Sequence, residues 1–508
     1  MGLGKLCDAK PRRLVAVMQK LADPWARRRA VHLWMICLTI GSAFLWTSVG
    51  QAQQISSQWS RPVDITLPSD SPWSLLGLLL CDQYQNVHVL WADHLADGAT
   101  ISYRNDVSGN WSVPTDVLVV SAPDVIVGLN AVIANNTDTI HVVWRDVWTA
   151  GSLYYSQVSL LDASNPRAWS RPWIMANDVI DAKLQVDPAG TIHLVYAVSE
   201  GDALQQMIFH IKSTDNGNTW SEPVVVVSLM SPLPSKTVVN TAIDDAGRIH
   251  VGVALRSQDY GTYSEVGYVR STDGGQTWSA YKLVDKMGST FQGVEKIAPY
   301  AFGKDEVHLT WHNPTRLHQW SLDGGETWSQ PIEIMTLGAA FGGENQLVKD
   351  SAGNLYVVTA EANGVYSAKW DGTRWGLPER IDDRPIDPHG QNMIVCQGNQ
   401  LHVVYYDRTG DNTVWYSSRR VDAPAIGRRP LPVSTPQPTP VAAAPLLPIS
   451  TGPSVALPGE TNFVPSDFPK TAPSSFVRIG MLVVPVVLLI VCVIVLRRLM
   501  GHQHESGR

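Results

Sequence analysis

One strand signal recurs seven times and constrains the fold more than any other feature. A run of the type Ile-His-Val-Val-Trp appears at 87–91, 140–144, 192–196, 249–253, 307–311, 355–359 and 401–405. Seven Trp-Ser-x-Pro-like elements alternate with it, at Trp59, Trp111, Trp169, Trp220, Trp278, Trp328 and Trp375. The period is about fifty residues, and a period of that length means a solenoid or a propeller. Each unit holds enough strand-like runs for four antiparallel strands, here lettered A to D in chain order. In the unit from 237, "TVVNTAID" reads as A, "RIHVGVAL" as B, "SEVGYVRS" as C and "SAYKLVD" as D. Apolar runs separated by Gly, Asp, Asn, Ser and Pro, with little helical periodicity between 55 and 420, read as all-β.

The two ends of the repeat are out of phase. "WSRPVDI" at 59–65 is a lone D strand, and the last unit stops after strand C at 413–420. The first element therefore completes the last unit and closes the ring, which removes the open sheet edges that invite aggregation. The expectation is an all-β, seven-bladed β-propeller over residues 53–421, with six blades as the alternative.

Three octets mark the C–D turns of the third, fourth and fifth units: "STDNGNTW" (213–220), "STDGGQTW" (271–278) and "SLDGGETW" (321–328). Asp215, Asp273 and Asp323 are placed to accept hydrogen bonds from the turn's own N–H groups. Gly217, Gly275 and Gly325 supply the positive φ of a tight reversal. Trp220, Trp278 and Trp328 begin strand D as large apolar anchors between sheets. Three equivalent aspartates spread around a ring cannot share a catalytic centre, so their reading is structural.

The octets resemble the Asp-box, or BNR repeat, of sialidase-like β-propellers, a family of exo-sialidases, other glycosidases and non-catalytic propellers. The resemblance covers about 55–420 and implies six blades in its sialidases, against seven counted here. Those sialidases hold the substrate carboxylate with three arginines, the first in a Phe/Tyr-Arg-Ile-Pro motif, which this chain does not contain. No catalytic role is carried over. A weak alternative is the pair Tyr263 and Glu265 as nucleophile and base.

In this strand order the A–B and C–D turns share one face and the B–C and D–A loops share the other. The second face gathers the candidate ligand-binding residues Arg145, Asp146, Glu200, Arg256, Tyr263, Arg316 and Arg408. Asp93, Trp148, Asp259, Tyr260, Glu361 and Asp407 lie in the same B–C loops, and Asp181, Glu295, Glu344, Asp387 and His389 in the D–A loops. Arginine forks pair with carboxylates, and aromatic faces stack on sugars, so the rim suits a glycan or a protein ligand. An exo-acting glycoside hydrolase and an envelope scaffold remain alternatives. The histidines His88, His141, His193, His250, His308 and His402 occupy equivalent strand-B positions around the ring, too far apart to share a metal. No metal and no cofactor is expected. At 17% charged residues and net charge −7 there is no basic stripe for nucleic acid. The propeller is expected to be monomeric.

Outside the repeat, residues 1–52 read as a signal peptide or signal anchor, with the apolar run 31–49 behind Arg27, Arg28 and Arg29. Residues 422–476 are rich in Pro, Ser, Thr and Ala and read as an extended stalk. The run 477–498, ended by Arg497 and Arg498, reads as a single membrane span with a cytoplasmic tail at 499–508. The expected setting is a prokaryotic cell surface with the propeller outside. Cys81 and Cys396 end strand A of the first and last units. Equivalent points on neighbouring sheets are about 10 Å apart, beyond the roughly 6.8 Å a disulfide spans between Cα atoms. Two free, buried thiols are expected, a bridge requiring convergence near the axis.

Overall fold

A computed structural model describes residues 58–432, apart from 67–72, 96–97, 108, 122–124, 147–150, 201–204, 231–234, 258–262, 289–294, 314, 336–344, 362–363, 385–387 and 408–412. Residues 1–57, with the segment read as a leader, and the apolar run 477–498 lie outside the described residues. Among the described residues no helix is long and apolar enough to cross a membrane.

The strands form antiparallel sheets in the A-to-D order that the repeat requires. Among the described residues, five sheets have four strands, and a sixth has seven. The seven-stranded sheet arises because Trp173–Val186 serves twice. Its first half pairs as strand D with Gly151–Ser159, and its second half as strand A with Ile192–Glu200. The innermost strands are Trp73–Cys81, Val127–Ala134, the second half of Trp173–Val186, Ser235–Ile243, Glu295–Phe302, Gln346–Lys349 and Pro388–Cys396. Each touches the next, and the last touches the first, so the sheets close into a ring.

Closure is made by the N-terminal strand. Val63 pairs with Tyr416 and Asp64 with Trp415. The Ser60 amide donates to the Ser418 carbonyl at 2.7 Å, and the Ile65 amide to the Val414 carbonyl at 3.1 Å. Apolar faces of neighbouring sheets build the core between them, with Trp91, Trp144, Trp311, Tyr103, Tyr155 and Tyr405 as the largest fully buried side chains. This is the sheet-on-sheet burial that drives an all-β fold.

One expectation is corrected. Cys81 and Cys396 form a disulfide with Cα atoms 5.7 Å apart. The sheet-packing distance does not apply to them, because both sit at the ends of innermost strands, where the first and last units converge. Residues 422–432, read from the sequence as the start of the stalk, are also described. They lie across the turns, with the Ile426 amide donating to Gln397, the Arg429 amide to Tyr84, and Arg428 paired with Asp106. A segment rich in proline can thus be ordered where its carbonyls and arginines find fixed partners.

Candidate functional site

The turn face is built from two aspartate devices. The first is the octet. Asp273 accepts from the Thr277 amide at 2.9 Å, the Thr277 hydroxyl at 2.5 Å, the Gln276 amide at 3.0 Å and the Ser271 hydroxyl at 2.8 Å. Asp215 and Asp323 make the same bonds to Thr219 and Thr327. The threonine hydroxyls lead the bonds that hold the Asp215 and Asp273 carboxyls down at about 2. Gly217, Gly275 and Gly325 have φ of 80°, 84° and 89°. A Cβ at these positions would strike Tyr155, His210 and Tyr268 on strand C of the preceding unit. The octet tryptophans stand edge-on to the same rings, Trp220 on Tyr155 at 5.5 Å, Trp278 on His210 at 5.5 Å and Trp328 on Tyr268 at 5.2 Å. The octet therefore joins one unit to the unit before it.

The second device was not anticipated from the sequence. Asp82, Asp187, Asp244 and Asp350 open the A–B turns, and each accepts the backbone N–H four residues on. Their second oxygen takes a ring nitrogen of the strand-B histidine, His88, His193 or His250, at 3.1–3.3 Å. In the sixth unit the Tyr356 hydroxyl takes that place on Asp350. The other histidine nitrogen meets the strand-C ring, as in His88–Tyr103 at 2.6 Å, His193–His210 at 2.9 Å and His308–His318 at 2.8 Å. Where an octet follows, the strand-C ring that meets the histidine (Tyr155, His210 or Tyr268) is also the ring against which the octet's tryptophan stands. Burial pushes His141 down to about 4, His210 and His402 to about 3 and His318 to about 2. The repeated histidines are core residues, and among the described residues no group of side chains could hold a metal.

The opposite face carries the candidates for ligand binding, and the described ones turn inward. Arg145 is buried and donates to the Val179 carbonyl at 3.4 Å. Arg316 is 2% exposed and donates to Asn345 Oδ1 at 2.9 Å and the Ala360 carbonyl at 2.6 Å, tying its unit to the next. Asp146 accepts the Ser152 amide at 3.0 Å and shapes its own loop. Asp93 accepts Trp91 Nε1 at 2.8 Å and the Ser102 hydroxyl at 2.6 Å, while Asp181 accepts the Val239 amide at 3.0 Å. Glu265 accepts the Tyr281 hydroxyl at 3.1 Å. Arg408, Trp148, Asp259, Tyr260, Glu344 and Asp387 lie outside the described residues, as do the side chains of Glu200, Arg256, Tyr263, Glu295, Glu361 and His389.

One group on this face was missed. In the last unit Arg384 lies flat over Trp415, 3.7 Å from the ring centroid. Asp382 holds it through two nitrogens and is itself fully buried, accepting the Tyr405 hydroxyl. The Asp382 bond leads the interactions that raise the Arg384 pKa above its ordinary value. The Arg384 side chain is 36% exposed, so a fixed guanidinium is presented to solvent. The signal was the charged string "RIDDR" at 380–384 just before a strand A.

The molecule is all-β, a ring of antiparallel sheets in which three Ser-x-Asp-x-Gly-x-Thr-Trp turns each pack against the unit before. Residues 143–364 match the BNR repeat-like domain, which agrees with the likeness read from the octets. No curated protein matches the chain in sequence. Among solved structures it is similar to a Hadza microbial sialidase, with 12% identity, a TM-score of 0.40, and coverage of 69% of this chain and 66% of that one. It is also similar to the polysaccharide lyase Uly1, at 11% identity and TM-score 0.47, covering 68% and 90%. A third is an α-L-arabinofuranosidase of Fusarium graminearum, at 14% identity and TM-score 0.43, covering 72% and 98%.

Proposed function

We propose that the chain is a seven-bladed propeller that recognises a glycan or protein ligand through its B–C and D–A loops, held outside a cell membrane by the stalk and span expected at its C-terminal end. The count of seven is supported by the seven innermost strands, with Trp173–Val186 counted in two blades. The recognition reading is carried by Arg384, a guanidinium fixed on Trp415 by Asp382 and left accessible. A fixed fork of donors suits an anionic group on the ligand, because little side-chain entropy is lost on binding.

Recognition is preferred to hydrolysis because the buried carboxylates described on this face already accept protein donors. Asp93, Asp181 and Asp382 are buried and accept protein donors, whereas a glycosidase needs carboxyl groups aimed at a substrate. Screening the full-length chain on a glycan array, beside fluorogenic glycosides, tests both readings. Binding of an acidic glycan that weakens tenfold or more in Arg384→Ala, with no turnover of the glycosides, supports recognition. Turnover of any exo-glycoside would replace it with the hydrolase.

A further inference from the structure

The innermost strands surround an axial cavity of about 420 Å³. Strand pairing places one residue of each strand A at the same level of that axis. Leu78, Asn130, Lys183 and Asn240 pair with strand-B residues two beyond the repeated His. Ala298, Gln346 and Asn392 complete the level in the same way, Gln346 against the strand whose Tyr356 replaces the His. All seven line the cavity. Five are polar, where a wall packed for stability alone needs only small or apolar side chains.

The carboxamides are oriented. Asn130 Oδ1 accepts the Leu184 amide at 2.7 Å, Asn392 Oδ1 accepts the Leu79 amide at 2.8 Å, and Gln346 Oε1 accepts the Met393 amide at 2.5 Å. Each bond reaches the next innermost strand. With the oxygen held by the wall, the group left to each of these side chains is its NH₂, a donor. Asn240 is set the other way, donating to the Ile297 carbonyl at 3.2 Å. Lys183 is the one charged residue among the described lining residues, and it is a cation. Between these polar groups the wall is apolar, with Leu129, Pro299 and Phe302.

We propose that this girdle is a binding site for a small organic carboxylate, separate from the loop face. Lys183 and the NH₂ groups of Asn130, Gln346 and Asn392 bind the carboxylate, and the apolar wall takes its carbon body. An anion is favoured because the girdle supplies a positive charge and oriented donors at low dielectric. An organic anion is favoured over an inorganic one because the cavity is far larger than an oxyanion and partly apolar.

Isothermal titration of the full-length chain tests this with D-glucuronate, its neutral counterpart D-glucose, and sulfate. Glucuronate is expected to bind at least tenfold more tightly than either of the others. Lys183→Met should raise its Kd at least tenfold, to the glucose value, at unchanged Tm. If Lys183→Met does not fold, Asn130→Asp serves instead, since a carboxylate there still accepts the Leu184 amide but repels an anion. The site is overturned if the two sugars bind equally, if neither binds, if sulfate matches glucuronate, or if the preference survives both substitutions. Arg384→Ala should leave glucuronate affinity unchanged. Loss of affinity in that variant alone would assign the binding to the loop face, overturning the axial site while upholding the recognition reading.

Discussion

Asp244 and Asp273 belong to the same unit and the same face, yet they do different work. Asp273 sits at the surface of an octet, and its bonds stay within five residues of chain. Asp244 is 1% exposed, accepts the Ala246 and Arg248 amides and the Arg248 guanidinium, and reaches His250 in the core. Burial alone would raise the Asp244 pKa, but the bonds from His250 and Arg248 outweigh it and hold the carboxyl below its usual range. The conspicuous aspartate is thus the local one, and the inconspicuous aspartate carries the connection between turn and core. A motif repeats letter for letter when a short stretch of chain satisfies itself. A residue whose partners come from several strands leaves a fainter trace.

The largest effect that sharpens this comparison is expected from Asp244→Ala. It leaves His250 and two amides without this acceptor while Arg248 keeps Asp305, and should destabilise by about 3–5 kcal/mol, the range for removing one partner of a buried pair. Denaturant unfolding measures it, and a loss no larger than that of Asp273→Ala would erase the distinction. Gly275→Ala comes next, at about 1–3 kcal/mol, because alanine meets both the strained φ and the ring of His210. Asp273→Ala should cost about 1–2 kcal/mol from lost turn bonds, and leave glycan affinity of the folded protein unchanged.

A separate comparison is a change of slope with pH. His210 and His318 are neutral in the fold, with pKa values pushed down to about 3 and about 2 by burial. In the unfolded chain they take up a proton near 6.5. The unfolded state therefore binds more protons below that value, and stability falls as pH drops from about 6.5 toward 3. The first, second, fourth and seventh units carry tyrosine at the equivalent place, as Tyr103, Tyr155, Tyr268 and Tyr416. The double variant His210→Tyr, His318→Tyr should flatten that decline in Tm between pH 6.5 and 4. An unchanged slope would mean that these histidines are protonated in the fold.

The repeat, the strand order, the octet turns and the closing pair at 63–64 were all legible, because each rests on spacing along the chain. The A–B turn aspartates were legible in principle. "DPAG", "DDAG" and "DSAG" at 187, 244 and 350 precede the strand-B signal at a fixed distance. The girdle was not, because irregular pairing in the innermost strands, as between Val127 and Asn130 or His389 and Asn392, breaks the alternation that assigns residues to a face. On the loop face, side-chain direction was not legible. An arginine at the end of a strand reads as exposed, whereas Arg145 and Arg316 fold back onto carbonyls of adjacent chain.

The bridge between Cys81 and Cys396 has a mechanical consequence. It spans 315 residues, and closing so long a loop contributes on the order of 5 kcal/mol in the chain-entropy account. It also makes the ring a covalent hoop, with residues 58–80 and 397–432 outside it. Tension applied at the two ends of the chain first peels Val63–Asp64 from Val414–Arg420, and then stops at the sulfurs. Pulled in an optical trap, the oxidised protein should lengthen only by the chain outside the hoop, and reductant should release the rest. Full extension without reductant would show that the hoop is open. For a protein held by its ends in a moving fluid, the closing strand would act as a fuse that can rupture and re-form while the rest of the ring stays linked.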